Sequence, residues 1–551
     1  MSASPKGRAK TPPASGKSSP LIAVIAVAVG IAAIALGLWY QTATTENGGD
    51  GASTLAVAVI NATAVAATCA QLRGELGAAA VTLPSDAAYP TLREKSFSQT
   101  AWKHPACIAR PASAADVQKL VGALVANDVP FAVRSGGHSF NPGDASIDGG
   151  VLIALDNLNE VTYDAATGLA SLGPGARWDA VYTVLDEYDV TVVGGRVMDV
   201  GVGGLMLGGG LSYLSDLYGL ACDNVVSFEV VLADGSVVVA TSTEHPDLFW
   251  ALKGGANNFG IVTQFKLTTY PIKQVWGGMQ VYGLDQMPAL LQAYHAYQNA
   301  PNKDLHANLC INLVPTNASL VLTMVYLKPV ERPAAFAPFY ELLGTPLFEA
   351  TGFMTLHELM GGFPASAVPR WTSYVSTFAQ LSSSDLFAHQ LDALLSSSAP
   401  DVAAIAALQA GTLVATLQPV SEHAVRAGEA RGGGNALGLR PVNQTWLAIN
   451  VAWWDEKDDA VARASAESLH AQAERVLRLE GEEGDEAEAG ARKREQEQEY
   501  IFMNDANAKQ PVIASYGDAN VRRLRAVQET YDPHLVFQRL VPGGFKIPPL
   551  A

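Results

Sequence analysis

Positive charge is scarce in this chain. Lys and Arg number 36 against 53 Asp and Glu, a formal charge of −17. Nucleic acid is held through a basic face that neutralises phosphates, so this balance excludes it as a partner. Charge of either sign is sparse, 16% of residues against 49% apolar, which describes a globular protein with a large core. Histidine is thin as well. The ten are scattered and none stands at ligand spacing with Cys or an acid, so no metal site is expected. Cysteine is limited to positions 69, 107, 222 and 310, which allow three pairings. Missing too is the glycine triplet opening a helix, with an acid about twenty residues on, that marks a Rossmann dinucleotide site.

What is present is organised by position. Residues 1–20 form a basic leader with Lys6, Arg8, Lys10 and Lys17 and no acid. Residues 21–40 carry no charge and end in Trp39-Tyr40. That length exceeds the ordinary core of a cleaved signal (about 7–15 residues) and matches a membrane span of about 20. With the basic leader, it predicts a signal anchor with a cytoplasmic N-terminus; a signal peptide cut within Gln41 to Thr45 is the alternative. A Gly/Ala/Thr-rich stalk, 41–65, follows. Either way the remainder lies in the secretory pathway, as a single-pass membrane protein or a secreted one, where the sequons at Asn61, Asn317 and Asn443 can accept glycans. Near the other end, residues 480–499 hold nine acids and three bases without apolar periodicity, a solvated acidic insert.

Between these lies an alternation of elements. Val117, Leu120, Val121 and Leu124 predict a helix over 115–126, followed by an apolar strand into Arg134. Trp178, Val181, Tyr182 and Leu185 predict a second amphipathic helix. Val226 to Leu232 and Val237 to Ala240, joined through Asp234-Gly235, predict a hairpin. After Pro271 come strands at 275–282, 309–314, 319–327 and 446–454, with helices at 288–298 and 460–479. Strands then helices suggest a second α+β domain.

The chemistry concentrates in Arg134-Ser135-Gly136-Gly137-His138-Ser139, a turn directly after the first of these strands. Its glycines allow positive φ and close backbone approach, and its successive N–H groups make an anion-binding concavity. A His at the rim supplies a nucleophilic nitrogen near neutral pH.

This turn stands among three further blocks. One is Lys103-His104-Pro105-Ala106-Cys107-Ile108-Ala109-Arg110-Pro111. The next includes Gly201-Val202-Gly203-Gly204, Gly208-Gly209-Gly210, Gly219 to Val225, Ala233-Asp234-Gly235, Asp247 to Gly255 and Asn258 to Thr263. The last comprises Tyr516-Gly517, Tyr531-Asp532-Pro533, Phe537 and Pro542-Gly543-Gly544-Phe545-Lys546. Together they resemble the FAD-linked oxidases of the berberine-bridge-enzyme type, within the vanillyl-alcohol oxidase superfamily, over nearly everything from Cys69 onward except the acidic insert.

The resemblance implies an α+β fold: a two-subdomain FAD-binding domain (66–272, its PCMH-type part about 103–272) and an α+β substrate domain (273–499) whose sheet roofs the flavin. Residues 500–551 would complete the FAD domain, with the transmembrane or signal segment preceding the whole. It implies FAD attached through His138, with Arg134, Ser135, Gly136, Gly137, Ser139, Gly260 and Val262 in contact. The backbone from Gly201 to Gly210 (Gly201, Gly203, Gly204, Gly208, Gly209, Gly210) would run along the pyrophosphate and ribityl chain. It also implies a Cys69–Cys107 disulfide. Some relatives add a cysteinyl bond to flavin C6. Val197 stands at that cysteine's place, so a single covalent link is expected. Leu205 replaces a common flavin-side His, and small Val200 at the oxygen-access position resembles oxidases rather than dehydrogenases.

For the proton acceptor, relatives use a Tyr-x-Asn segment or a residue on the substrate-domain sheet. Here Phe502 stands two before Asn504, where the Tyr would be. Tyr500 reaches the site if the segment is a strand, by period-2 alternation; Asp505 and, on the sheet, Asn450 are other options. The expected reaction is hydride transfer from an alcohol, sugar or natural-product substrate to the flavin, with dioxygen reduced to hydrogen peroxide. A dehydrogenase with another acceptor, or an inert membrane-tethered FAD-binding protein, are the alternatives.

Overall fold

The computed structural model describes residues 60–361, 368–379, 391–479 and 500–549. The basic leader, the 21–40 segment, most of the stalk and the acidic insert lie outside them. Among the described residues no helix is long and apolar enough to cross a membrane.

The chain is a mixed α+β protein built on three sheets. The first orders Val81–Thr82, Cys107–Ala109, Val151–Ala154 and Phe131–Arg134. Its last three strands run parallel, a pairing that needs crossovers rather than tight turns. The helix Ala114–Ala126 is one such crossover. Ser113 caps it by accepting from the Asp116 N–H at 3.2 Å, and it buries the four apolar residues of the sequence pattern. Cys69, on the helix Ala62–Leu76, is bonded to Cys107 with 6.0 Å between Cα atoms. The bridge ties the leading helix to the strand that feeds this sheet.

The second sheet is antiparallel, with Ile261–Tyr270 flanked by Leu169–Leu172 and Val225–Val231. The hairpin Val225–Val231/Val237–Thr241 turns at Gly235, whose φ is +81°. The helix Trp178–Asp186 buries Trp178, Val181, Tyr182 and Leu185 in the same core.

The third sheet has seven antiparallel strands, with Ala307–Val314, Thr412–Val420 and Gln444–Trp453 near its middle. Alternation divides its faces. Leu309, Ile311, Leu313, Leu417, Leu447 and Ile449 pack with the helices Met287–Gln298 and Asp459–Leu479. On the opposite face Val325, Val375 and Trp446 join the core that holds Trp178 and Phe265, so this sheet packs on the antiparallel sheet's core.

The chain then returns. Phe131 donates its N–H to Leu540 O at 2.8 Å, and Gly544 donates to Asp144 Oδ1 at 3.0 Å. Asp532 fixes that return by accepting from the N–H groups of Val536 and Phe537, both at 2.8 Å.

One expectation of local structure needs correction. Residues 500–504 are not a strand; irregular backbone leads into a 3₁₀ turn, Met503–Asp505, so period-2 alternation does not apply to Tyr500. Among the sequons, half-buried Asn443 donates from its amide to Gln298 O at 3.1 Å and accepts from the Glu422 N–H at 3.0 Å. Asn61 and Asn317 are exposed.

Candidate functional site

Three segments meet where the strand Phe131–Arg134 ends. Gly137 takes φ +69°, which turns the chain back after the two glycines. Gly136 lies so close to Gly201 that a Cβ on it would sit 2.5 Å from Gly201 N and Cα. Ser135 Oγ accepts from the Gly203 N–H at 3.1 Å and donates to Pro174 O. Arg177 Nη2 donates to Gly136 O at 2.7 Å. The turn is thereby locked to the glycine-rich segment by backbone contact.

These segments wall a cavity of about 390 Å³. Of the expected cofactor residues, Ser135, Gly136, Gly137, His138, Ser139, Val200, Gly201, Gly203, Gly204, Gly260 and Val262 border it. Val197 and Leu205 border it too, as apolar side chains. The His138 ring stacks on Phe97, centroids 4.0 Å apart and planes within 1°. Burial, and then the Arg177 cation, lower its pKa to about 4. At neutral pH His138 is therefore uncharged and keeps a nucleophilic lone pair.

Arg134 does not border the cavity. Its buried guanidinium donates to Leu92 O at 2.7 Å and braces the turn from behind. Gly208, Gly209 and Gly210 are also off the lining, because the chain coils into the helix Val202–Leu207 rather than running extended. Gly209 and Gly210 have φ of +110° and +76° and turn the chain back, where their carbonyls accept from the N–H groups of Cys222 and Ala221.

The base candidates separate clearly. Asn504 borders the cavity but is structurally engaged, accepting from the Gly210 N–H at 3.0 Å and donating to Gly204 O at 3.2 Å. Tyr500 is off the cavity, buried between Trp446 and Tyr516, with a hydroxyl that has no partner among the described residues; burial pushes its pKa well above the usual phenol range. Asn450 is off the cavity as well, its amide turned to Val414 O at 3.3 Å on the neighbouring strand. Phe502 borders the cavity and stacks on Trp446 at 4.3 Å. Asp505 borders it beside Arg196, with Gln418 behind.

Sequence reasoning missed Asp144, Arg196, Gln418 and Phe97. Asp144 is half-buried at the cavity wall, where it accepts from Ser139 Oγ at 2.9 Å and Asn141 Nδ2 at 3.1 Å. Only Arg196, beside the Val197 position, had a local signal. Cys222 is a buried free thiol, its pKa raised by burial, and Cys310 is also free. Among the described residues no cluster of His, Cys, Asp or Glu could hold a metal.

Comparison with known proteins agrees with this geometry. Residues 105–241 match a family described as an FAD binding domain. The chain is 39% identical to an FAD-dependent monooxygenase of Arthrobotrys oligospora, over 84% of this chain and 86% of the relative. It is 36% identical to the bifunctional solanapyrone synthase of Alternaria solani, over 85% and 87%. Among solved structures, the 6-hydroxy-D-nicotine oxidase of Arthrobacter nicotinovorans superposes with a TM-score of 0.69 at 21% identity, covering 85% of this chain and 98% of the other. The xylooligosaccharide oxidase of Myceliophthora thermophila gives 0.67 at 21% identity, over 88% and 100%.

Proposed function

Starting from a chain that belongs to the FAD-linked oxidoreductases of the berberine-bridge-enzyme type, and that is therefore an FAD-dependent enzyme, we propose that it is an oxidase carrying FAD on His138 alone. It would oxidise a small molecule at carbon, with dioxygen as the final acceptor. The observation that carries this is the uncharged imidazole of His138, clamped against Phe97 at the wall of a glycine-lined cavity.

The residues fit the group. Gly136 and Gly201 touch where a Cβ would intrude, and the turn's backbone is free to approach a ligand. Ser135, Ser139 and the neighbouring glycines would hold the dinucleotide, and Gly260 and Val262 its other side. Val197, a hydrocarbon at the cavity wall, has no sulfur for a second bond. When bound, the flavin accepts two electrons as a hydride and passes them to dioxygen as hydrogen peroxide. The protein's share is orientation: Phe97 fixes the imidazole plane and Arg177 holds the turn. Small Val200 leaves the approach for dioxygen open.

The domain division 66–272, 273–499 and 500–551 belongs to this reading, as do the secretory location and the membrane segment 21–40. The Cys69–Cys107 bridge supports that location, since disulfides persist in oxidising compartments. Phe502 at the tyrosine position favours the inert FAD-binding alternative; Asp505 at the same wall counters it.

A tryptic peptide containing His138, heavier by one flavin dinucleotide, together with peroxide formed in air by an alcohol panel, is the expected result. A colourless protein, or one whose flavin leaves entirely on acid precipitation, would overturn the reading.

A further inference from the structure

Asp505 ends the 3₁₀ turn Met503–Asp505, and the residue before it, Asn504, is pinned to the glycine-rich segment. One carboxylate oxygen, Oδ2, accepts from Gln418 Nε2 at 2.8 Å. The Gln418 carbonyl oxygen is taken by Arg196 Nη2. A primary amide whose oxygen faces a guanidinium has to present its NH₂ on the other side, so Arg196 sets the orientation of Gln418, and Gln418 that of Asp505. The second oxygen, Oδ1, has no hydrogen-bond partner among the described residues, and the side chain borders the cavity. The cavity wall mixes apolar side chains such as Phe502, Met503 and Leu211 with polar ones, Asn141, Asp144, Arg196, Asn257 and Asn504.

We propose that Asp505 is the catalytic residue that takes the hydroxyl proton of an alcohol substrate. The proposal rests on the flavin-oxidase reading above. The substrate O–H bond breaks and its proton passes to Asp505 Oδ1. The bonding pair left on oxygen closes the C=O bond. The C–H pair departs as hydride to the flavin, so the product is an aldehyde or ketone.

Arg196, over the Tyr213 ring at 5.7 Å, adds positive charge beside the oxygen on which negative charge grows. Gln418 is a positioning residue. Burial raises the Asp505 pKa above the ordinary carboxylate value, with Gln418 and Arg196 opposing, which makes its anion a stronger base. The other titratable groups facing it are Cys310, from the strand Ala307–Val314, and Tyr500; Tyr213 faces Arg196 and Cys310.

The test uses flavin-loaded full-length protein, mixed anaerobically with benzyl alcohol, cinnamyl alcohol or geraniol, with cellobiose as the polar contrast. Bleaching of the visible flavin band is followed against pH. At least one of these compounds should bleach the wild type. Asp505→Asn should keep its covalent flavin and bleach about 10²–10⁴-fold more slowly. Formate should restore part of the rate to Asp505→Ala, which a structural role would not allow. Gln418→Glu places a second acid beside Asp505, and the midpoint of the rate profile should move to higher pH. Wild-type rates in Asp505→Asn or no rescue by formate would overturn the proposal. So would a coloured wild type that none of these compounds reduces. A colourless wild type would instead remove the flavin reading beneath it.

Discussion

Gly136 and Gly201 touch backbone to backbone: a Cβ on Gly201 would lie 2.4 Å from Gly136 N, and one on Gly136 2.5 Å from Gly201 Cα. The atoms in the way are main chain, which cannot step aside as a flexible side chain would. Overpacking of this kind typically costs about 1–3 kcal/mol, and here the strain falls on the cofactor turn. Gly136→Ala and Gly201→Ala should each fold yet lose most bound flavin, read as the ratio of visible to ultraviolet absorbance. By contrast, a Cβ on Gly74, in the helix Ala62–Leu76 off the cavity, meets nothing within 4 Å, so Gly74→Ala should retain its colour. Equal colour in all three would refute the contact's importance.

The His138 ring gives a pH prediction with a definite sign. Burial lowers its pKa to about 4, so the nucleophilic neutral form persists as pH falls from neutrality and is lost only near that value. An unshifted imidazole would be half protonated at about pH 6.5. Apoprotein incubated with FAD should therefore attach flavin at nearly constant rate between neutrality and mildly acidic pH, measured as acid-stable flavin fluorescence. A rate that halves near the unshifted value would show that the ring is not held as described. His138→Ala should give none.

Much of this architecture was legible because it is local. The helix Ala114–Ala126 follows from apolar spacing and a Ser cap, and the hairpin at Asp234-Gly235 from its turn dipeptide. The His138 turn announced itself by composition. Asp505 could be read only as one proton-acceptor option among several, because its setting is assembled from afar: Gln418 stands 222 residues from Arg196 and 87 from Asp505. Gly208 to Gly210 were placed along the cavity because glycine richness reads as ligand approach. The same glycines serve a turn after a short helix, and only the structure distinguishes the two.

Tyr500 illustrates the opposite error, a residue of suitable chemistry in the wrong place. Its hydroxyl is buried without a partner among the described residues, off the cavity, against Trp446 and Tyr516. An unsatisfied buried polar group costs about 1–3 kcal/mol, so Tyr500→Phe should leave turnover unchanged and hold or raise the thermal midpoint. A collapse of flavin reduction in that variant, with flavin content intact, would return Tyr500 to the catalytic role.

The two halves of the molecule are joined by a buried ion pair that yields a separable stability prediction. Lys303 Nζ lies 3.0 Å from Asp216 Oδ2, with both side chains only 6% exposed. Asp216 also accepts from Ser421 Oγ at 2.7 Å, and Lys303 stands over the Tyr297 ring at 4.7 Å. Removing one partner strands the other charge in a dry interface, a loss of about 3–5 kcal/mol, whereas replacing both by hydrocarbon of similar volume is often neutral. Lys303→Met alone should lower the urea midpoint followed by tryptophan fluorescence, and Asp216→Leu alone should do the same. The double variant should recover most of the loss, though Ser421 then lacks its acceptor and holds back a part. Strict additivity of the two single effects would mean that the pair is not coupled, and that the halves are held by their apolar contacts alone.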